Sequence, residues 1–462
     1  MVSNPVPYGV GHAIKTAPVI GEVIDVQLRE AAWSSMARLR QLACPTASLV
    51  SLCRWEKFLC GHMAGLASVI NTRLLVRLSK LMREPEDLAS EAFVAALLLL
   101  RCGRQRFEAE VLAAWQDATC PDTRRYVGLA IIHGGLHQES HKEALARALL
   151  NSDATVRRSA ATILAARGWP ARSVLRPLAR QAQHDADVAL TVLELMAEGA
   201  WPLDARPLAR ALQEGGPDLR HAAEQVLLHH APLTLAERAR AQLDRGEDPS
   251  LLSLEAMAGL VGGQPHDAAD LARLGAASHR GRLGPLAVHA LGLTGLGAVA
   301  SHMLQLIATT PSPQLQDAAV EAFGAITGVE DGAAGSDRTA AHRAQDLQQA
   351  WALRPPAQRA PSLFGGPRTA ACMAQAAPLM QVGRWQSYRR LLRMRSGNTV
   401  RLSSWALMEQ QLGELDAQAP QADRALSLEA PGLRPNPLTA ALARLGCNRV
   451  LPLPSPLEGA WV

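Results

Sequence analysis

Apolar residues return at nearly even intervals through the middle of the chain: Tyr126, Val156, Val188, Leu219, Leu251, Leu283 and Leu315, in steps of 30, 32, 31, 32, 32 and 32 residues. Several stand in similar surroundings. Asp153-Ala-Thr-Val156-Arg157-Arg-Ser-Ala160-Ala161 is echoed by Asp218-Leu219-Arg220-His-Ala222-Ala223, and Ala318-Ala319 follows Leu315. A fixed period of this length marks a chain of stacked supersecondary units, none of which buries its apolar face alone. The 462 residues are therefore expected to form an array rather than one core, since single cores stop growing at about 250–300 residues.

Helix stoppers fall at matching places in the period: Gly134-Gly135, Gly168-Trp-Pro170, Gly199-Ala-Trp-Pro202, Ala231-Pro232, Gly262-Gly263, Gly295 and Gly328. Glycine just past a helix and proline a little beyond it end helices for steric reasons. Between the stoppers lie acidic starts, Asp153, Asp185 or Asp187, Asp218 and Asp248-Pro249, where a carboxylate suits the positive end of the helix dipole. Aromatic residues are 4% of the chain, and β-branched runs bounded by turns are nearly missing. The expected fold is all-α: an α-solenoid of stacked antiparallel helix pairs with a period of about 31–32 residues.

The array is predicted over residues 85–329. Residues 1–84 read as an extended arm followed by two capping helices, the first from about Val19 to Cys44 and stopped by Pro45. The second begins at Thr46 or Ser48 and carries Leu49, Leu52, Trp55, Leu59, Met63 and Leu66 at helical spacing. Residues 330–367 read as a linker with a polar helix near Asp337–Leu353, residues 368–418 as an Arg-rich helical element, and residues 419–462 as a loosely ordered Pro-rich tail.

Four of the 47 basic residues are lysines, and the net charge is +5. Seven cysteines without a Cys-x-x-Cys pair predict reduced, mostly buried thiols and a cytoplasmic location. Met1–Gly9 lacks the basic and apolar regions of a leader peptide. The longest apolar run, Ala92–Leu100, is too short for a bilayer, which takes about 20 residues.

Few constellations suggest chemistry. His133, His137 and His141 have zinc-like helical spacing, but Gly134-Gly135 interrupts them and surface loop histidines are expected. Cys53, Cys60 and His62 are read as buried thiols on an amphipathic helix rather than a metal site. The tandem His229-His230 is expected to meet free carbonyls at a helix end. Neither a phosphate-binding Gly-x-x-x-x-Gly-Lys-Ser/Thr loop nor a Gly-x-Ser-x-Gly elbow occurs, so no catalytic residue, metal or cofactor is assigned. The most uneven charge is late: no acidic residue stands between Asp346 and Glu409. Arg384, Trp385, Tyr388, Arg389, Arg390, Arg393 and Arg395 in this window are the candidate partner-binding residues. Arginine mixed with aromatic rings suits an acidic protein surface, and also nucleic acid or anionic lipid.

The unit Asp153-x-x-Val156-Arg157-x-x-Ala160-Ala161 resembles a HEAT repeat. The resemblance implies a ladder of Asp–Arg pairs between successive repeats, for which Asp153, Arg157, Asp218 and Arg220, with Arg125, are the candidates. It is incomplete, because Asp187-Val188-Ala189 lacks the arginine. HEAT-type hydroxylases hold two irons with His-Glu dipeptides, and this chain has none. Trp55–Leu66, Arg124–Ala130 and Glu321–Val329 resemble a narrower group of bacterial HEAT-like proteins of uncharacterised function, often encoded among type VI secretion components. That resemblance spans about 20–410 and implies a non-enzymatic protein-binding scaffold or adaptor whose partner is a secretion-system component. The alternative is a nucleic-acid-binding HEAT protein using the basic 384–401 region, akin to glycosylases that hold DNA on a basic concave face.

Overall fold

The computed structural model describes residues 21–44, 47–245, 268–281, 283–329, 339–354, 382–396, 400, 402–403, 406–426, 438 and 442. Among them the regular elements are helices, with no strand. The first is α1, Gly21–Ala43, followed by α2, Leu49–Ser68. Ser48 caps α2 by accepting a hydrogen bond from the Val50 amide at 3.1 Å, satisfying one of the amides that a helix start leaves without a partner. The two helices pack as a hairpin.

Two compact units organise the rest, and they do not follow the boundaries read from the sequence. One contains the described residues up to Pro202 together with 382–383 and Leu402–Ala417. Beyond the hairpin its helices are α3 (Thr72–Arg83), α4 (Glu91–Arg101), α5 (Gln105–Asp117), α6 (Pro121–Gly134), α7 (Glu139–Arg147), α8 (Ala154–Arg167), α9 (Leu175–Gln181) and α10 (Ala186–Ala197). Alternate helices are neighbours: α4 packs on α6, α6 on α8 and α8 on α10, while α3 packs on α5 and α5 on α7. The apolar run Ala92–Leu100 lies in α4, which is buried all round from Glu91 to Leu100. A helix apolar on every side has to lie inside. Trp115, fully buried on α5, donates its indole N–H to Ser159 Oγ of α8 at 2.8 Å.

The second unit holds α11 (Ala205–Glu214), α12 (Pro217–His230), α13 (Pro232–Arg245), α14 (Ala268–Ala277), α15 (Leu283–Gly292), α16 (Gly297–Thr309), α17 (Pro313–Thr327) and α18 (Ala340–Ala352). The same alternation recurs, α15 on α17 and α16 on α18. At Gly292 an added Cβ would stand 2.9 Å from Ala322 Cβ and 3.0 Å from its Cα. Small residues at this crossing let the two helices approach, as the alanine-rich composition implies.

The periodic anchors divide. Val156, Val188, Leu283 and Leu315 are buried, whereas Tyr126 and Leu219 are half-buried and Leu251 lies outside the described residues. Val127, fully buried, takes the core position next to Tyr126. The phenol and the Arg125 and Asp122 charges beside it favour the edge over the interior.

Later helices are α19 (Val382–Ser396), α20 (Met408–Ala417) and α21 (Ala419–Leu426). The last lies where the sequence predicted a loosely ordered tail. The segment 402–417 joins the first unit through buried polar bonds. Glu56 accepts Arg38 Nε at 2.9 Å and the Met408 amide at 2.8 Å, and Arg38 Nη2 donates to the Ala406 carbonyl at 3.3 Å. Val382 N donates to Ala47 O at 2.7 Å.

Thiols are more accessible than predicted. Cys44, Cys60 and Cys120 are exposed, and Cys53 and Cys102 are half-buried. Cys53 and Cys60 sit on the rim of α2, where Leu52, Leu59, Met63 and Leu66 occupy the core face.

Candidate functional site

Helix α19 carries all seven candidate partner-binding positions, Arg384, Trp385, Tyr388, Arg389, Arg390, Arg393 and Arg395. Two of them are corrected. Trp385 is 2% exposed and Tyr388 0%, and their rings stack with centroids 5.7 Å apart. Their spacing with Val382 and Leu392, both also buried, makes one apolar helix face. Burial first, and then the Asp423 carboxylate, push the Tyr388 phenol up. Both rings therefore serve the interior, and no exposed stacking platform for bases remains on them.

The expected Asp–Arg ladder is rearranged. Asp153 caps its own helix, accepting the Thr155 amide at 2.8 Å, and faces Arg124 at 3.6 Å rather than Arg125. Arg157 donates to the carbonyls of Asn151 and Ser152 at 2.8 and 3.3 Å, and Arg220 Nη2 donates to Gly215 O at 3.3 Å. Both arginines tie down the loop before their own helix, because a fork at the first turn faces backwards to that loop's carbonyls. Asp218 is an exposed first-turn acid on α12. Pairs between helices are made instead by Arg158–Asp187 at 3.0 Å, Arg240–Asp270 at 2.7 Å, Arg273–Asp244 at 2.7 Å and Arg343–Asp317 at 3.1 Å. Separations of 29 or 30 residues, close to one period, are the signal that could have found the first three.

The histidine run is split by its glycines. His137 and His141 gather at buried Glu108, whose Oε2 receives the amides of His137 and Gln138 at 3.0 and 3.2 Å and lies 3.2 Å from His141 Nδ1. Burial raises the Glu108 carboxyl, but the His141 bond and the two amides outweigh it and hold the group below its ordinary value. Glu108 is thus the N-terminal anchor of α7. His133 is not the surface loop residue expected. It lies in the last turn of α6, half-buried, with its ring edge-on to Phe93 at 5.8 Å.

Around His133 the structure assembles a row that the sequence reading missed. Successive neighbours α4, α6 and α8 each end in a basic residue: Arg101, His133 and Arg167. The Arg101 and Arg167 cations suit the negative ends of their helix dipoles. Arg167 reaches back to α6 and donates to Ile132 O at 3.2 Å. It needs Gly135, where a Cβ would stand 2.9 Å from Arg167 Nη2. Gly168 takes the left-handed conformation, φ 63°, and turns the chain so that Trp169 lies 5.1 Å from the Arg167 guanidinium and 5.4 Å from Lys142 Nζ. Arg101 and Arg167 are exposed, and neither pairs with a carboxylate among the described residues. Burial, and then the guanidiniums of Arg38, Arg101 and Arg167, push the His133 imidazole down to about 3. The signal was legible as a basic residue before each glycine stop, but only helix stacking makes the three neighbours.

No known family model and no curated protein matches the chain. The functional reading therefore rests on the geometry of the chain itself.

Two other features have a chemical look. Ser278 Oγ lies 3.2 Å from His302 Nε2, yet its hydrogen goes to Gly275 O at 2.6 Å. His302 Nε2 must then be the donor, so the ring is no base for this hydroxyl, and Ser278 is fully buried. A groove of about 580 Å³ between α16 and α18 is lined by Leu304, Gln305, Ala308, Gln345, Trp351 and others, without a charged group. His229 and His230 stand in the last turn of α12 with rings 6.4 Å apart, and His62 Nδ1 lies 2.8 Å from Gln27 Oε1. No cluster of three or more His, Cys, Asp or Glu with metal-binding geometry occurs among the described residues, and none of their helices is long and apolar enough to cross a membrane.

Proposed function

We propose that this protein is a cytoplasmic, non-enzymatic binding scaffold: an α-solenoid of HEAT-like repeats, begun by the α1–α2 hairpin, that grips a protein partner. The observation that carries this reading is the alternate packing, α4–α6–α8–α10 and again α15–α17 and α16–α18. Such stacking leaves long rows of equivalent helix ends and faces, which repeat proteins use as recognition surfaces. Of the hydroxyl–imidazole contacts among the described residues, Ser278–His302 has its hydroxyl proton on Gly275 O, and Thr339–His342 belongs to the N-cap of α18. The Trp385–Tyr388 pair, buried and stacked, counts against the nucleic-acid alternative.

The partner we propose is a component of a bacterial type VI secretion machine, a choice supported by the resemblance at Trp55–Leu66, Arg124–Ala130 and Glu321–Val329. Affinity purification of the tagged chain from its host, with mass spectrometry of bound proteins, tests both parts. A reproducible secretion-system component supports the proposal. A different protein partner keeps the scaffold and removes the secretion role. Recovery of none, under conditions that retain weak complexes, counts against the scaffold.

A further inference from the structure

The row at the ends of α4, α6 and α8 is built, and among the described residues only Arg167 of it is engaged, by one bond to Ile132 O and by the Trp169 ring. Arg101 and Arg167 project exposed guanidiniums from either side of α6, without a carboxylate partner among the described residues. Between them the His133 imidazole makes no hydrogen bond to any described residue, and its nitrogens are not sealed from solvent. The charged groups nearby are largely committed. Arg38, beneath the row, is held by Glu56 at 2.9 Å, and Lys142 is held by Glu139 at 2.5 Å. Arg101 and exposed Glu409 act with opposite sign on the Cys60 thiol of α2. Solvated charge at a helix end is ordinary; what distinguishes this row is that three helices packed in succession each place a basic side chain in the last turn.

We infer that Arg101, His133 and Arg167 form a docking row for an extended, carboxylate-bearing segment of a protein partner. The inference rests on the scaffold reading and names the chemistry of what the scaffold grips. Charge complementarity is the first argument: guanidinium forks accept carboxylates bidentately, and a neutral imidazole offers one N–H between them. Spacing is the second. Packed helices lie about 8–10 Å apart, and an extended chain rises ~3.4 Å per residue, so every second or third side chain of one strand falls opposite successive members of the row. A single small ion meets only part of such a row. Base stacking is not supported at Trp169, whose ring is already engaged by Arg167 and Lys142.

The test uses the full chain and a fluorescein-labelled peptide of alternating Glu and Ser, with a Lys/Ser peptide and inorganic phosphate as comparators, read by fluorescence anisotropy and by the His133 imidazole signals in NMR. The Glu/Ser peptide is expected to bind, to weaken with added salt, and to move the His133 signals. The double variant Arg101→Gln/Arg167→Gln is expected to lose roughly tenfold or more in affinity while it stays folded by circular dichroism, and Arg101→Gln alone, which breaks no bond to a described residue, is expected to weaken binding with thermal unfolding unchanged. The variant Arg101→Glu/Arg167→Glu is expected to prefer the Lys/Ser peptide. Failure of the Glu/Ser peptide to bind at low salt, equal binding by the double Gln variant, or response to phosphate alone each overturns the docking row. Partner capture that is equal for wild type and double variant also overturns the row and leaves the scaffold standing. Peptide binding that obeys the substitutions, with no partner captured, supports the row and overturns the scaffold.

Discussion

Two arginine-rich regions of this molecule handle charge in opposite ways. Around α13 and α14, Asp270, its side chain 3% exposed, takes Arg240 at 2.7 Å and Arg273 at 3.2 Å, while Arg273 also takes Asp244 at 2.7 Å. Each guanidinium there ties α13 to α14. At the ends of α4, α6 and α8 the arginines project without carboxylates, and the ring between them is held neutral. The lesson is that an arginine-rich composition does not by itself mark a binding face. What marks it is where guanidiniums on neighbouring helices stay in water without a carboxylate, as Arg101 does and as Arg167 does with a single bond to Ile132 O. Arg354, by contrast, is consumed by Thr327 O and Gly328 O, both at 2.8 Å.

The largest break in this comparison lies under the basic row. Glu56→Ala leaves Arg38 buried without its carboxylate, and uncompensated buried charge costs about 3–5 kcal/mol; a urea titration followed by far-UV circular dichroism is expected to show this loss. In the second unit Asp270→Ala removes the shared acceptor of two partly exposed arginines. Its expected cost is about 2 kcal/mol, the scale of hydrogen bonds to a charged group, by the same titration. A cost equal to that of Glu56→Ala would erase the distinction between the buried pair and the network that joins α13 to α14.

Acid sharpens the contrast next. His133 has an ordinary value of 6.5 and is pushed down to about 3 in the fold. The unfolded chain therefore binds more protons between these values, so this residue's contribution to stability is full above pH 6.5 and is lost as pH falls toward 3. His133→Gln is expected to make the stability–pH curve shallower in that window, with His302, pushed down by burial and then by His279, supplying part of the remaining slope. An unchanged slope would separate His133 from its three guanidinium neighbours. The smallest effect belongs to Arg101→Gln, which is expected to stay within about 0.5 kcal/mol of wild type, as exposed substitutions do, while the His133 imidazole titrates at higher pH in NMR.

Helices and their limits were legible because their causes are local. Ser48, Asp153 and Asp185 cap helices where the sequence suggested starts, and Gly168 and Gly328 take the left-handed conformation just past helix ends. The candidate site was legible only in part. Charge counting led to α19, but a helix with Arg389 between Tyr388 and Leu392 buries one face whatever its composition, and that face took both aromatic rings. The partners of Asp153, Arg157 and Arg220 were misjudged for a related reason: direction along a helix decides whether a fork meets a neighbouring helix or its own loop.

The sequence by itself determined an all-helical chain of short units, since caps, glycine stops and apolar spacing act within one or two turns. Only the tertiary structure decided which charges cancel. It brought Leu402–Ala417 into the unit of α1 and α2, joined Arg240 to Asp270, and set Arg101 and Arg167 beside His133. Those pairings depend on contacts between helices about 30 or several hundred residues apart, and electrostatic energy follows distance in space rather than position along the chain.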